Sequence, residues 1–456
     1  MGSKWEQALL GELIAAGDAV LQTGPFGTAL KAEEYTETGV PLISVREIRE
    51  GFIQLEDITP RVDSAVTARL PKFVLQEGDI VFARKGGVER NALITEREKG
   101  WFVGSDGIYL RLSKKYDAKY FSYVMRSPQV KAWLLKNCEG TTMPSLNQKI
   151  LARVPIFLPS KIQQEKIADL LFQYDEKITI NNQINQTLEK MAQTLFKSWF
   201  VDFDPVKAKM NGEQPKGMDT ATASLFPEKL VESELGLIPE GWSVESAKSQ
   251  LDVLRGFSYK GKGLVASLDE GVPMHNLNSV LEGGGYKYKG LKFYSDEFKD
   301  KFLVQEGDVL VANTEQGHNH LLIGYGAMIP KHLAFGFCSH HTYRVRPKSD
   351  SNVTPEFIER LFGKGRFVKQ VQGFTNGTTV NMLPIAGMEM PEFVVPPRTL
   401  AKKYSELVKP MKAMIEENHK SNIELAKLRD TLLPKLLSGE IDLESVQVEQ
   451  VKELAE

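Results

Sequence analysis

PSKIQQEKIADLLFQYDEKITINNQINQTLEKMAQTLFKSWF, residues 159 to 200, carries apolar side chains at Ile167, Leu171, Tyr174, Ile178, Ile184, Leu188, Met191, Leu195 and Trp199. Their steps of mostly three and four line one face of a single long helix. Pro159 and Ser160 suit its start, the one lacking an N–H and the other offering a capping hydroxyl. At 1.5 Å per residue such a helix is roughly 60 Å long, more than one compact domain needs, so its narrow apolar face calls for a partner.

The partner lies in the same chain. Aligning Pro159 with Pro396, an offset of 237, brings PPRTLAKKYSELVKPMKAMIEENHKSNIELAKLRDTLLPKLL into register without a gap. Ile167, Leu171, Tyr174, Ile178, Leu188, Met191, Leu195 and Trp199 then become Tyr404, Val408, Met411, Ile415, Leu425, Leu428, Leu432 and Leu436. Only the Ile184 position breaks the seam, reading Ser421, and Pro410 is expected to bend the second helix early. Two long helices with matching narrow seams predict an intramolecular coiled coil.

The repeat extends upstream of the helices. GVPLISVREI (39–48) matches GVPMHNLNSV (271–280), FVLQEGDIVFAR (73–84) matches FLVQEGDVLVAN (302–313), and GTTMPSLNQKI (140–150) matches GTTVNMLPIAG (377–387). A period of half the chain is a duplicated domain and not a solenoid, whose repeats run about 20 to 50 residues. Short β-branched and aromatic runs broken by Gly, Pro and Asp make each copy β-rich, and QEGD reads as a turn into a buried strand. Helical patterns at 119–137 and 355–371 complete each copy. The polar, Gly- and Pro-containing stretch 204–236 reads as a linker. The expected class is α+β, with globular domains at 1–158 and 237–395, long helices at 159–203 and 396–437, and a tail at 438–456.

The 456 residues are 42% hydrophobic and 25% charged, ordinary for a soluble globular chain of about three domains. No apolar run approaches the ~20 residues of a membrane span, and residues 1 to 25 lack a basic start followed by an apolar core. Two cysteines, Cys138 and Cys338, cannot form a disulfide framework and agree with a reducing compartment, so a cytoplasmic location is expected. A net charge of −2 argues against a protein whose overall field grips nucleic acid indiscriminately, but not against local basic loops.

The chain resembles the specificity subunit of type I restriction-modification systems along essentially its whole length. The resemblance rests on IPEGW (238–242) opening a domain, on QEGDIVFAR and QEGDVLVAN, on PSKIQQEKIADLLFQYDEKI with its counterpart, and on TLFKSWFVDFDPVKAK (194–209) followed by LGLIPEGW. The N-terminus lacks the IPEGW wording and keeps only Trp5 against Trp242, and the second helix start lacks the Gln-Gln-Glu of the first. The resemblance implies two target recognition domains, each reading one half of a split sequence in double-stranded DNA. It further implies antiparallel helices that act as a ruler and recruit two methyltransferase subunits, with motor-nuclease subunits joining for restriction.

Residues able to do chemistry are sparse, and no cofactor is expected. Asp204-Pro205-Val206 has one proline and no aromatic where a methyltransferase base-holding loop needs more, and reads as a linker turn. There is no GxxxxGK[ST] loop, and Glu297-Phe298-Lys299 is a lone ExK of chance frequency. His318, His320, His332, His340 and His341 cluster with Cys338, but their spacing fits none of the tight zinc patterns, which favours polar residues facing DNA or solvent over a metal site.

For reading DNA, exposed Arg, Lys, Asn, Gln, Ser and Thr matter. After the first QEGD strand come Arg84, Lys85, Arg90 and Asn91; at the same place in the second copy come Asn313, Thr314, Gln316, His318 and Asn319. A repeat that keeps its strand and changes its loop is what two different half-sites require, although a solvated hairpin is the bland alternative. The GTT loops, with Thr141, Thr142, Thr378 and Thr379, are alike in both copies, which suggests phosphate contact or a structural turn. A rival from another class is a coiled-coil scaffold that assembles partner proteins without reading DNA.

Overall fold

Two forty-residue helices, Lys161–Phe200 and Arg398–Leu437, form as the periodicity predicts, the second unbroken through Pro410. The computed structural model describes residues 5–140, 143–317, 319–377, 380–441 and 443. The chain divides into two compact units, one of residues 1–181 with 420–456 and the other of residues 182–419. Each unit thus holds one globular part and half of each long helix.

In the first unit a four-stranded antiparallel sheet runs Ala19–Thr23, Gly107–Leu112, Ile80–Ala83, Asn91–Leu93. A second sheet runs Tyr35–Thr36, Arg61–Val62, Val40–Ile43, Phe102–Val103, its last pair parallel. Glu6–Leu9 pairs with Pro155–Leu158. The second unit repeats this order: Leu251–Arg255, Thr342–Pro347, Val309–Ala312, Gly326–Met328, then Leu264–Val265, Lys292–Tyr294, Val272–His275, Phe337–Cys338, again ending in a parallel pair. Ser243–Ser246 pairs with Glu392–Val395.

QEGD works as a turn because its carboxylate is enclosed. Asp79 accepts the Gln76 N–H at 2.7 Å and both arms of Arg111 at 2.7 and 2.6 Å, and it is fully buried. Asp308 does the same with Gln305 and Arg346. Gly78 and Gly307 both sit at φ +87°, a left-handed conformation that glycine adopts at little cost.

The helices pair antiparallel within each unit. In the first unit Asn181 donates to Asn422 at 2.8 Å and Arg429 bonds Asp175 at 2.5 Å. In the second, Asn418 donates to Asn185 at 2.8 Å and Tyr404 donates to the Ala192 carbonyl at 3.2 Å. The seam differs from the apolar reading at two places. Ile184 and Met191 are 37% and 50% exposed, while Asn181, Asn185 and Ala192 are buried in their stead. With these included, 167, 171, 174, 178, 181, 185, 188, 192, 195 and 199 step strictly by four and three, the coiled-coil heptad. Asparagine at 181 and 185, and the small Ala192 beside the larger Met191, hide the stripe from an apolar pattern.

Each globular part is fastened to the helices by a buried ion network. Asp175 accepts Tyr123 O–H at 2.7 Å and faces both Arg126 and Arg429. In the second unit Arg360 pairs with Glu189, and Glu359 pairs with Lys412. The stretch 204–236 is more than a polar tether. It forms helices Asp204–Met210 and Thr220–Ser224 and the hairpin Leu230–Ser233 with Gly236–Pro239. Val206 and Phe226 are buried, Phe226 packing edge-on against Trp199 at 5.2 Å. Asp204-Pro205-Val206 opens a helix there instead of the expected turn, since a proline is well placed in a first helical turn.

Candidate nucleic-acid interface

In each unit the residues that follow the central strand meet the described residues flanking the GTT string. In the first, Leu146 N–H donates to Arg84 O at 2.7 Å, and Glu139 and Ser145 exchange backbone hydrogen bonds at 2.9 and 2.7 Å. In the second, Leu383 N–H donates to Asn313 O at 2.8 Å, and Asn376 and Met382 exchange bonds at 3.0 and 2.7 Å. Lys85 bridges Ser145, and Thr314 pairs with Met382 at the equivalent place. The two stretches singled out separately in the sequence are therefore neighbours in both copies.

A third element joins them. Arg84 N–H donates to Asp106 O at 2.9 Å, and Asn313 N–H donates to His341 O at 3.1 Å. Gly24 N–H donates to Gly107 O at 3.1 Å, and Gly256 N–H donates to Thr342 O at 3.0 Å. The approach is so close that a Cβ on Gly24 would stand 1.9 Å from Gly104 O, and one on Gly256 would stand 2.2 Å from Ser339 O. Only a residue without a side chain permits it.

The side chains sort into exposed and enclosed groups. Lys85 is exposed and pairs with Asp106 at 3.1 Å. Arg84 is half-buried, its guanidinium 4.5 Å over the Phe26 ring and 3.2 Å from Ser105 O. Gln316 and Asn319 are exposed. Arg90 instead folds back to the Ile48 carbonyl at 3.2 Å. Asn91 is fully buried in its strand, its Oδ1 3.3 Å from the Ser122 hydroxyl. Asn313 is 1% exposed and donates to His340 O at 3.1 Å. Thr314 is buried with its hydroxyl 3.1 Å from His341 Nδ1. Asn91 and Asn313 thus present no side chain to a ligand: Asn91 opens the strand Asn91–Leu93 and packs inward, and Asn313, just past Ala312, turns its amide to the His340 carbonyl. Thr141, Thr142, His318, Thr378 and Thr379 lie outside the described residues.

The histidines separate. His320 is 3.3 Å from the Thr375 hydroxyl, His332 is 3.6 Å from Glu416, and Cys338 is fully buried, its thiol pushed up to about 12 by that burial. Among the described residues no three His, Cys, Asp or Glu side chains gather as metal ligands. His340 and His341 do stay together, ring centroids 3.9 Å apart. Burial lowers both pKa values, helped by Arg255 at His340 and by His340 and then Arg255 at His341, which favours the neutral imidazoles at pH 7. Arg255 is exposed and donates to His340 O at 3.2 Å. Sequence reading passed over Arg255, Ser105 and Asp106; aligning FVGSDGIYLRL (102–112) with FCSHHTYRVRP (337–347) is the signal that finds the turn.

The duplicated scaffold agrees with the comparisons to known proteins. Residues 4–190 match the family described as type I restriction modification DNA specificity domain. Over those residues the chain is similar to the type I restriction-modification specificity family. Along most of its length it is similar to the type I restriction enzyme MjaIX specificity subunit of Methanocaldococcus jannaschii, with 24% identity over 91% of this chain and 90% of the relative. The type I restriction enzyme HindI specificity subunit of Haemophilus influenzae is 24% identical over 73% of this chain and 77% of its own. The crystal structure of the type I restriction-modification S subunit from M. genitalium shares the fold, with a TM-score of 0.52, 14% identity and coverage of 95% and 96%. Among the described residues no helix is long and apolar enough to cross a membrane.

Proposed function

We propose that this chain is the DNA-reading subunit of a type I restriction-modification complex, working in the cytoplasm and itself without catalytic activity. Each globular part reads one half of a bipartite asymmetric target in double-stranded DNA. The long helices set the spacer between the halves and dock two methyltransferase subunits, and motor-nuclease subunits join for restriction.

One observation carries this reading: the same backbone hydrogen bonds hold the loop, turn and hairpin in both copies while the side chains they present differ, Lys85 with Asp106 in one and Thr314 with His341 in the other. Different bases demand different side chains on a fixed frame. A scaffold that only gathers proteins gives no reason for that exchange. Glu297 and Lys299 are exposed in a loop, and among the described residues no three His, Cys, Asp or Glu side chains gather as metal ligands there.

Mobility shift with random duplexes, with and without a methyltransferase partner, tests the reading. Specific retardation that needs a bipartite sequence supports it. Protein assembly with no sequence-dependent DNA binding would favour the scaffold.

A further inference from the structure

The turn that follows the parallel strand pair, Gly104–Gly107 in the first copy and Ser339–Thr342 in the second, is held in the same way in both. Gly104 N–H donates to Ile43 O at 2.7 Å and Ser339 N–H to His275 O at 2.8 Å; Gly107 N–H donates to Gly104 O at 3.0 Å and Thr342 N–H to Ser339 O at 2.9 Å. Against this constancy the two tip residues change outright, from Ser105 and Asp106 to His340 and His341. In each copy the second tip side chain touches the second residue after the central strand. Asp106 pairs with Lys85 at 3.1 Å, and His341 Nδ1 lies 3.1 Å from Thr314 Oγ1. The partners have changed together.

The chemistry of these tips does not suit phosphate. A carboxylate beside a phosphate backbone is repelled, so Asp106, 36% exposed, fits the DNA side of the domain only where it accepts from a base amino group such as cytosine N4. Lys85, 46% exposed, then neutralises the pair and orients the carboxylate. In the second copy the His341 tautomer in which Nδ1 accepts from the Thr314 hydroxyl leaves Nε2–H for donation, which suits purine N7 or guanine O6. Contact with the tilted His340 ring and the hydrogen bond from Arg255 to the His340 carbonyl hold the ring and its neighbour in place.

We infer that Asp106 and His341 are specificity-determining residues, each reading a base edge in its own half-site and each positioned by the loop residue it touches, Lys85 or Thr314. This rests on the DNA-reading function proposed above. It goes further in assigning base choice to the turn and not to the post-strand loop alone.

The test uses the full chain in complex with its methyltransferase and reads the methylated sequences across a genome. Asp106→Ala is expected to relax discrimination at one base pair of the first half-site by roughly 5- to 150-fold, with the second half-site unchanged. His341→Ala is expected to do the reverse. Asp106→Asn and His341→Gln keep the size of each side chain and guard against misfolding, which a thermal melt of each variant monitors. Well-folded variants that methylate the original sequences in both halves, or that lose methylation equally at all sequences, overturn the inference. Gln316→Ala in the same assay separates the two levels. If it alters the second half-site while the turn variants alter neither, the turn inference fails and the DNA-reading function stands. If the native complex shows no bipartite pattern at all, both fail.

Discussion

Arg90 and Gln316 were equal candidates in the sequence and differ in the fold. Arg90 donates to the Ile48 carbonyl, so Arg90→Ala should lower stability by about 1 kcal/mol and leave both half-sites as they were, measured by urea unfolding and methylation mapping. Gln316 is exposed on the loop, and Gln316→Ala should weaken the second half-site by about 1 to 3 kcal/mol, read as binding to matched and mismatched duplexes. The sequence could not separate them because both are polar residues after a strand; which one folds back depends on a carbonyl supplied 42 residues away. Asn91 and Asn313 misled for the same reason. They look like loop residues, yet Asn91 begins a strand and Asn313 turns inward to the His340 carbonyl, so both are buried. At Glu359, burial raises the carboxyl pKa, but Lys412 and Arg360 outweigh it and bring it down to about 2. A carboxylate depressed in the folded state stabilises fully above its unfolded value of about 4.5 and loses that contribution as pH falls towards 2. Glu359→Gln should therefore flatten the acid limb of the stability curve between those limits, an effect on the order of 3 kcal/mol, measured by melting at a series of pH values.

At the scale of elements, most was legible. Both long helices, the QEGD turns and the duplicated order follow from periodicity and from repeated strings. The exact seam did not, because the heptad runs through the buried polar residues Asn181 and Asn185, which no apolar pattern marks. Buried asparagine pairs weaken a seam while favouring one register, since an out-of-register amide faces an apolar side chain. Asn418→Leu strands the buried Asn185 side chain and should cost about 1 to 3 kcal/mol, whereas Asn185→Leu with Asn418→Leu should recover most of it. Urea unfolding of the two single variants and the double variant decides this; additive losses would mean the amides do not act as a pair.

For the whole molecule, the central claim is that the helix pair fixes the spacing of two half-sites that the globular parts read independently. One heptad added to each helix, after Asn182 and after His419, preserves the four-three pattern in both. Seven residues lengthen an α-helix by about 10.5 Å and leave its seam rotated by roughly 20°. At ~3.4 Å per base pair, that adds about three base pairs to the spacer where the helices run along the DNA axis. Neither reading surface is altered, so the half-sites must stay the same. The decisive measurement is the genome-wide methylation pattern of this lengthened variant in complex with its methyltransferase. The account predicts the original half-sites separated by about three more base pairs; an active complex that keeps the original spacer, or reads different bases, would contradict it.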